Sequence, residues 1–300
     1  MPKVRANGVE LYYETSGPDD APAILLIMGL GTQMTAWPDS FVAGLVAAGF
    51  QVIRYDNRDI GLSQHLDGAR AISPALAFMA HGLGLRFPVA YSLSDMAADA
   101  IALMDVIGIG SAHVVGASMG GAIGQIVAAT WPERVRSLTS IMATSGARGL
   151  PGPSAELRRA LTRKRPAHIT RGEAGDMGDA VLRMISWPDP QRAPDAFREA
   201  AMAAYDRGPN PEGFRRQLLA IIADGSRADR LARIAAPTLV IHGAADPLVP
   251  LACGEDVARR VPGARLEVIP HMAHDLPPSQ VPTLVSMIAA HAQAADGAQR

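Results

Sequence analysis

Cysteine, aromatic residues and an excess of charge of either sign are scarce in this chain of 300 residues. The one cysteine, Cys253, excludes both an intramolecular disulfide framework and a cysteine-rich zinc site. Aromatic residues make up 5% of the sequence, so aliphatic side chains and 13 methionines must fill the interior. The 28 basic and 29 acidic residues give a net charge of −1, which excludes the strongly basic surface typical of nucleic-acid binding.

Long hydrophobic segments are also missing. The longest apolar runs span about seven residues, whereas a membrane-spanning helix needs roughly 20. The amino terminus, Met-Pro-Lys-Val-Arg-Ala-Asn-Gly, lacks the apolar core of a signal peptide, and no cluster of Lys and Arg indicates a membrane surface. With the single cysteine, these absences predict a cytoplasmic protein that has no membrane or nucleic-acid partner.

Short apolar segments alternate with amphipathic ones over most of the chain. Strand–helix–strand units of this kind favour parallel pairing with right-handed crossovers, so we predict an α/β fold with a mostly parallel, doubly wound sheet. An exposed antiparallel strand is predicted at 9–14. Ser94 is a candidate N-cap for the predicted helix 94–107. Buried strands are predicted at 23–28 and 113–117, and further strands at 51–55, 137–144, 238–242 and 265–269. Helices are predicted at 38–48, 94–107, 119–130, 251–261 and 281–292.

Residues 146–227 depart from this alternation. No buried strand is apparent there, and Pro and Gly separate helical stretches, of which 156–165 and 213–222 have the clearest pattern. We therefore predict a helical cap at 146–227, here named the cap segment, inserted into a core domain of 1–145 and 228–300. Residues 64–91 are long and poorly patterned, so they form either a second small excursion or a mobile loop.

A candidate nucleophile lies where a predicted strand gives way directly to a helix. Gly116-Ala117-Ser118-Met119-Gly120 fits the pattern Gly-x-Ser-x-Gly, in which a sharp turn lifts the serine hydroxyl out of the sheet. The turn also aims the N–H of Met119, at a helix N-terminus, toward the same point. A second oxyanion donor is expected in the loop after strand 23–28, where Gly29 allows a close turn and Leu30 offers its N–H.

An acid and a base follow later predicted strands. Asp246 comes just after strand 238–242, at the edge where open parallel sheets carry their sites, although a turn aspartate before proline is the simpler alternative. His271 and His274 lie in the loop after the last strand, and His271 follows that strand too closely to reach over the sheet edge. Their spacing could also suit a metal, but no Glu or Cys ligand set lies nearby. The order Ser118, Asp246, His274 is the order that α/β-hydrolases use.

Six segments of the chain resemble the α/β-hydrolase superfamily, and within it the lidded serine ester hydrolases of the aclacinomycin methylesterase type. By this resemblance Ser118, Asp246 and His274 form a catalytic triad, and Leu30 and Met119 supply the oxyanion hole. The sequence departs from the superfamily at Met28, where a histidine often precedes the glycine. The matching segments are LLIMGLG (25–31), YDNRDIGLS (55–63), YSLSDMAADAIALMDVIGI (91–109), HVVGASMGGAIGQIVAATWPERV (113–135), PTLVIHGAADPLVP (237–250) and VIPHMAHDLP (268–277).

These features predict a serine carboxylic-ester hydrolase that acts on neutral small-to-medium acyl or methyl esters through an acyl-enzyme. Gly29, Met142 and Trp187 are predicted to contact the substrate, and the chemistry requires no cofactor and no metal. The same triad also suits a lactonase, a carbon–carbon bond hydrolase, an aminopeptidase or a perhydrolase, and a non-catalytic ligand-binding protein is a further alternative. The partner is a small-molecule ester, and the sequence leaves monomer and homodimer open.

Overall fold

The computed structural model describes residues 2–69, 72–162 and 169–298, and its centre is one eight-stranded sheet. The strand order is β1-β2-β4-β3-β5-β6-β7-β8; β1 and β2 run antiparallel to their neighbours, and all pairs from β4 to β8 are parallel. The predicted α/β fold with a mostly parallel sheet is therefore confirmed. The strands are β1 (Lys3–Ala6), β2 (Val9–Ser16), β3 (Ala23–Ile27), β4 (Gln51–Tyr55), β5 (Ala112–Ala117), β6 (Val135–Ile141), β7 (Thr238–Gly243) and β8 (Arg265–Ile269).

Helices connect the strands and cover both faces of the sheet. Short 3-10 turns lie at Met34–Ala36, Pro132–Arg134 and Pro278–Gln280. No helix in the described part of the chain combines the length and hydropathy that a bilayer crossing requires. The helices are α1 (Asp39–Ala47), α2 (Pro74–Gly82), α3 (Leu93–Val106), α4 (Met119–Thr130), α5 (Ala155–Thr162), α6 (Arg171–Ile185), α7 (Ala196–Asp206), α8 (Pro211–Asp224), α9 (Ala228–Leu231), α10 (Leu251–Arg260) and α11 (Val281–Ala298).

The continuous apolar run of β3 is explained by burial on both faces. Successive side chains of a strand point to opposite sides, so Leu25 and Ile27 pack with α3 and α4, whereas Ile24 and Leu26 pack with α1 and α11. All four side chains are completely buried. Helices therefore occupy the faces, and the carboxyl edge of the parallel strands is left to the loops that carry the site.

Local differences from the predicted elements have identifiable causes. Helix α3 is capped by Ser92, not by Ser94, because Ser92 and Asp95 form a reciprocal capping box with hydrogen bonds between side chains and backbone N–H groups. Strand β6 ends at Ile141, earlier than predicted, since Met142 has a φ of +44° that an extended strand cannot continue. The sequence reasoning also missed β1.

The cap segment holds four helices, α5 to α8, and none of its described residues belongs to a strand. Helices α6 and α7 pack against each other, and α8 packs on α2 and α3. The end of the predicted helix 156–165 lies outside the described residues, and the region 64–91 contains α2. A buried ion pair between Arg216 of α8 and Asp59, 2.7 Å long, joins the cap segment to the core. The domain boundaries at 146 and 227 stay a prediction.

A buried histidine links the centre of the sheet to the last helix. His113 of β5 lies with Nδ1 2.9 Å from the Ser137 hydroxyl and Nε2 3.2 Å from the Asp296 carboxylate of α11. Burial lowers the pKa of His113 from 6.5 to about 4, and the Arg136 guanidinium acts in the same direction, while the Asp296 carboxylate opposes it. The imidazole is therefore neutral in the folded protein at pH 7.

This depressed pKa predicts a loss of stability in acid. The unfolded chain has His113 at its ordinary pKa of 6.5 and binds more protons than the folded chain down to about pH 4. Acidification through this window lowers the free energy of unfolding, with His113 contributing at most about 1.4 kcal/mol per pH unit. Urea unfolding across this range should give a shallower pH dependence for His113→Gln than for the wild type. Equally steep curves would contradict the assignment.

Candidate active site

Ser118 occupies a strained position between β5 and α4. Its φ of +56° and ψ of −117° lie outside the regions that L residues favour, and its N–H donates to the carbonyl of Ile141 at 2.9 Å. The turn is so compact that a Cβ at Gly116 would lie 2.1 Å from the carbonyl oxygen of Gly120. A Cβ at Gly120 would lie 2.0 Å from the carbonyl oxygen of Ile27, in β3. Only glycine fits at both positions, which explains the motif.

A continuous chain of hydrogen bonds joins Ser118, His274 and Asp246. The hydroxyl of Ser118 lies 2.9 Å from Nε2 of His274, and Nδ1 of His274 lies 2.8 Å from Oδ2 of Asp246. The other oxygen of Asp246 accepts the N–H groups of Leu248 and Val249, at 2.9 and 2.8 Å. A carboxylate only accepts, so Nδ1 carries the proton and leaves Nε2 free to accept the proton of the serine hydroxyl.

Sheet topology explains how residues so distant in sequence meet. Asp246 follows β7 and His274 follows β8, and both strands end at the edge where β5 delivers Ser118. The two loops touch each other, because a Cβ at Gly243 would lie 2.4 Å from the carbonyl oxygen of Met272. Both side chains are almost completely removed from water, with Asp246 6% and His274 9% exposed. The arrangement can therefore accept and return a proton at a shielded hydroxyl.

Two backbone N–H groups lie beside Ser118. Gly29 follows β3, and a Cβ placed on it would lie 3.2 Å from the Cβ of Ser118. The next residue is Leu30, whose N–H takes part in no hydrogen bond within the described part of the chain. Met119 opens α4, and N–H groups in the first turn of a helix have no partner within that helix. Leu30 and Met119 stay the predicted oxyanion donors.

The predicted substrate contacts fall in different surroundings. Gly29 lies against Ser118. Met142 is 3% exposed and belongs to the core cluster on the α1 and α11 face. It directly follows Ile141, whose carbonyl accepts the N–H of Ser118. Trp187 is half-buried near the histidine loop, with its ring 5.3 Å from the ring of the exposed His271. The substrate-binding role of these three residues stays a prediction.

The sequence reasoning missed a junction between the cap segment and the histidine loop. The N–H of His274 donates to the carbonyl of Ile185 at 2.8 Å, and the carboxylate of Asp275 accepts the N–H of Trp187 and pairs with Arg192. Burial raises the pKa of Asp275, and the Arg192 guanidinium opposes that shift. The position of Asp275 next to His274 indicates that its carboxylate lies near the site. Nothing in the sequence identifies its partner, Arg192, which is 83 residues away.

His242 supports the loop that carries the acid. It is completely buried, its Nε2 lies 2.7 Å from the carbonyl oxygen of Val249, and burial lowers its pKa, so the neutral ring donates to that carbonyl. Among the described residues, no group of three or more His, Cys, Asp or Glu side chains has the arrangement of a metal site.

A family model for the α/β hydrolase fold matches residues 22–278. The chain belongs to the α/β-hydrolase family. It is similar to rhodomycin D methylesterase DnrP from Streptomyces peucetius, with 33% identity over 306 residues that cover 96% of each chain. Rhodomycin D methylesterase DauP from Streptomyces sp. (strain C5) is likewise 33% identical over 307 residues, with 96% of each chain covered.

The solved structures agree with this family. The enol-lactonase from Burkholderia xenovorans LB400 superimposes with a TM-score of 0.75 at 23% identity, covering 97% of this chain and 99% of that chain. At this identity the similarity concerns the fold alone. The family model and the two rhodomycin D methylesterases confirm the predicted superfamily and enzyme class, an α/β-fold hydrolase.

The tight packing at Gly120 predicts a sharp effect of one added methyl group. Gly120→Ala would place its Cβ against Ile27, so α4 must move away from β3 and carry Ser118 and the Met119 N–H with it. A shift of about 1 Å costs on the order of 100-fold in rate, and we expect Ser118 to react with a fluorophosphonate at least that much more slowly. Gly110→Ala is the control, because nothing lies within 4 Å of its added Cβ. Wild-type labelling of Gly120→Ala would contradict the close approach.

Proposed function

We propose that this hydrolase is a serine carboxylic-ester hydrolase that acts on neutral small-to-medium acyl or methyl esters. The observation that carries the proposal is the hydrogen-bonded chain from Ser118 through His274 to Asp246, at 2.9 and 2.8 Å. The identity of 33% to two methylesterases over nearly the whole chain supports an ester as the substrate.

The first half of the reaction transfers the acyl group to the enzyme. Nε2 of His274 accepts the proton of Ser118 while the serine oxygen attacks the ester carbonyl, and Asp246 stabilises the imidazolium that forms. The carbonyl oxygen becomes an oxyanion, which the N–H groups of Leu30 and Met119 stabilise. The tetrahedral intermediate collapses, the alcohol leaves with the proton from His274, and the acyl group remains on Ser118.

Water completes the second half by the same steps. Nε2 of His274 takes a proton from water, the hydroxide attacks the acyl-enzyme, and the same two N–H groups stabilise the second oxyanion. The intermediate then releases the carboxylic acid, and Ser118 recovers its proton from His274. These residues and water account for every proton and electron pair, so the proposal includes no cofactor.

The charges around the site favour neutral substrates. Arg192, beside the histidine loop, is paired with Asp275, and Arg58 and Arg216, behind the Leu30 loop, are each paired with an aspartate. Cations already engaged with carboxylates contribute little to binding an anionic substrate. The predicted cytoplasmic location is part of this proposal and rests on the sequence, which has one cysteine and no long apolar run.

Two acidic side chains of the cap segment that could bind a substrate ammonium are already engaged. Asp176 pairs with Arg198 and Asp179 pairs with Arg183, both at 2.7 Å, so neither is free to serve an aminopeptidase. A lactone is a cyclic ester and can react by the steps given above. Lactone opening therefore remains the alternative that uses the same residues in the same roles.

Removal of the nucleophile should abolish turnover. Ser118→Ala leaves no oxygen to attack the carbonyl, so kcat/KM for a p-nitrophenyl ester should fall by on the order of 10⁴-fold or more. Ser226→Ala, at an exposed serine near the end of the cap segment, should behave like the wild type. Ester turnover that survives in Ser118→Ala would rule out the proposed mechanism.

A substrate panel distinguishes the reactions that the triad allows. We expect the wild type to hydrolyse neutral methyl and acyl esters with a higher kcat/KM than lactones or aminoacyl amides. Two relatives at 33% identity are methylesterases, and an aminoacyl amide has a poorer leaving group and needs a site for its ammonium. Titration of the released acid gives the rates for esters and lactones, and an assay of the released amine gives the rate for the amides. A preference for aminoacyl amides would replace the ester-hydrolase assignment with an aminopeptidase.

A further inference from the structure

Gln217 is a polar side chain on the packed face of α8, in the cap segment. It is completely buried, and both ends of its amide are satisfied. Its Oε1 accepts the N–H of Gly31 at 2.8 Å, and its Nε2 donates to the carbonyl of Arg58 at 2.9 Å. A backbone N–H can only donate and a carbonyl can only accept, so these two partners fix the orientation of the amide. The contact therefore bridges the cap segment and two loops of the core.

The Arg58 end of this bridge is a firm anchor. The guanidinium of Arg58 makes two hydrogen bonds to Asp99, at 2.6 and 2.5 Å, and both side chains are almost completely buried. The cap segment is attached here independently as well, because Arg216 pairs with Asp59. The attachment of α8 to the core therefore does not depend on Gln217 alone. The second hydrogen bond of Gln217, to Gly31, must have a different role.

That second hydrogen bond fixes the peptide group next to the proposed oxyanion donor. The peptide between Leu30 and Gly31 is held at both ends, since its carbonyl accepts the Thr32 hydroxyl at 3.0 Å and its N–H donates to Gln217. In the preceding peptide the carbonyl of Gly29 accepts the N–H of Thr32 at 3.3 Å. A trans peptide directs its N–H opposite to its carbonyl, so the N–H of Leu30 is turned away from Thr32 and left free.

Gly31 is the flexible position of this loop. Its φ of +64° is one of several conformations that glycine adopts at little cost, so the backbone of Gly31 does not by itself keep the loop in this shape. Without Gln217 only the two contacts of Thr32 hold the loop. Rotation about Gly31 moves Thr32 and disrupts its 3.3 Å contact with the carbonyl of Gly29, which is the contact that turns the Leu30 N–H outward. An oxyanion donor is effective only when its direction is fixed in advance.

We propose that Gln217 is a positioning residue that holds Gly31 so that the N–H of Leu30 faces the oxyanion. The inference rests on the proposed function, because it takes Leu30 as an oxyanion donor. In this arrangement a side chain of the cap segment fixes the direction of a catalytic N–H group of the core. Gln217 touches neither His274 nor Asp246, so its contribution is confined to stabilising the negative charge of the transition state.

The test compares Gln217→Leu with a matched buried glutamine. Gln125 is also buried and also contacts the core and the end of the cap segment, through Ser140 and Arg227, but it does not touch the Leu30 loop. Complete loss of an oxyanion donor costs about 10²–10³-fold in kcat, so a misdirected donor in Gln217→Leu should lower kcat by about 10-fold or more. KM and the pH profile should not change. Gln125→Leu should lose stability but keep its kcat.

The affinity for a transition-state analogue distinguishes a positioning role of Gln217 from a purely structural one. A trifluoromethyl ketone forms a hemiketal with Ser118 whose oxygen occupies the oxyanion position, and its affinity for Gln217→Leu should fall in proportion to kcat. The affinity for the product acid should stay the same. Should Gln217→Leu not fold, Gln217→Met, with the same chain length and no amide, carries the same expectations.

The outcomes separate this inference from the proposed function. An unchanged kcat in a folded Gln217 variant, a change in KM alone, or an equal loss of kcat in Gln125→Leu would overturn the positioning role, provided that Ser118→Ala is inactive. Turnover that persists in Ser118→Ala would instead overturn the ester-hydrolase mechanism itself.

Discussion

The architecture depends on the contact between two backbone segments, the first turn of α4 and the end of β3. Gly120 brings α4 against the carbonyl of Ile27, with no space for even a methyl group. This contact brings Ser118 beside Gly29, so that the proposed nucleophile and both proposed oxyanion donors meet at one point. The unfavourable backbone conformation of Ser118 persists because the packing around the turn permits no other path.

The central sheet and the Ser118–Asp246–His274 cluster were predictable because their signals are local. Each of the three side chains lies in the turn or loop that follows a strand, and parallel strands end at one edge, so chain order and strand ends suffice to bring them together. The same reasoning identified the glycines around Ser118 from the sharpness of the turn. Details such as the capping of α3 by Ser92 and not Ser94 depend on side-chain geometry, to which hydrophobic periodicity is insensitive.

The contacts between the cap segment and the core could not be predicted, because they join residues far apart in sequence. Gln217 and Gly31 are separated by 186 positions, and Arg192 and Asp275 by 83. A glutamine on the packed face of an amphipathic helix indicates that some buried partner exists. It does not indicate which one, because the partner depends on how the helix lies on the sheet.

Among its contacts with the core, the cap segment binds the backbone of both loops that carry the proposed machinery: Ile185 accepts the N–H of His274, and Gln217 accepts the N–H of Gly31. A rigid-body swing of all four helices would pull on both at once. Substrate exchange without damage to the chemistry thus requires motion of a smaller portion of the cap, away from these two anchors. For the same reason, a foreign cap grafted on to alter selectivity would have to supply a carbonyl for the His274 N–H and an amide for Gly31.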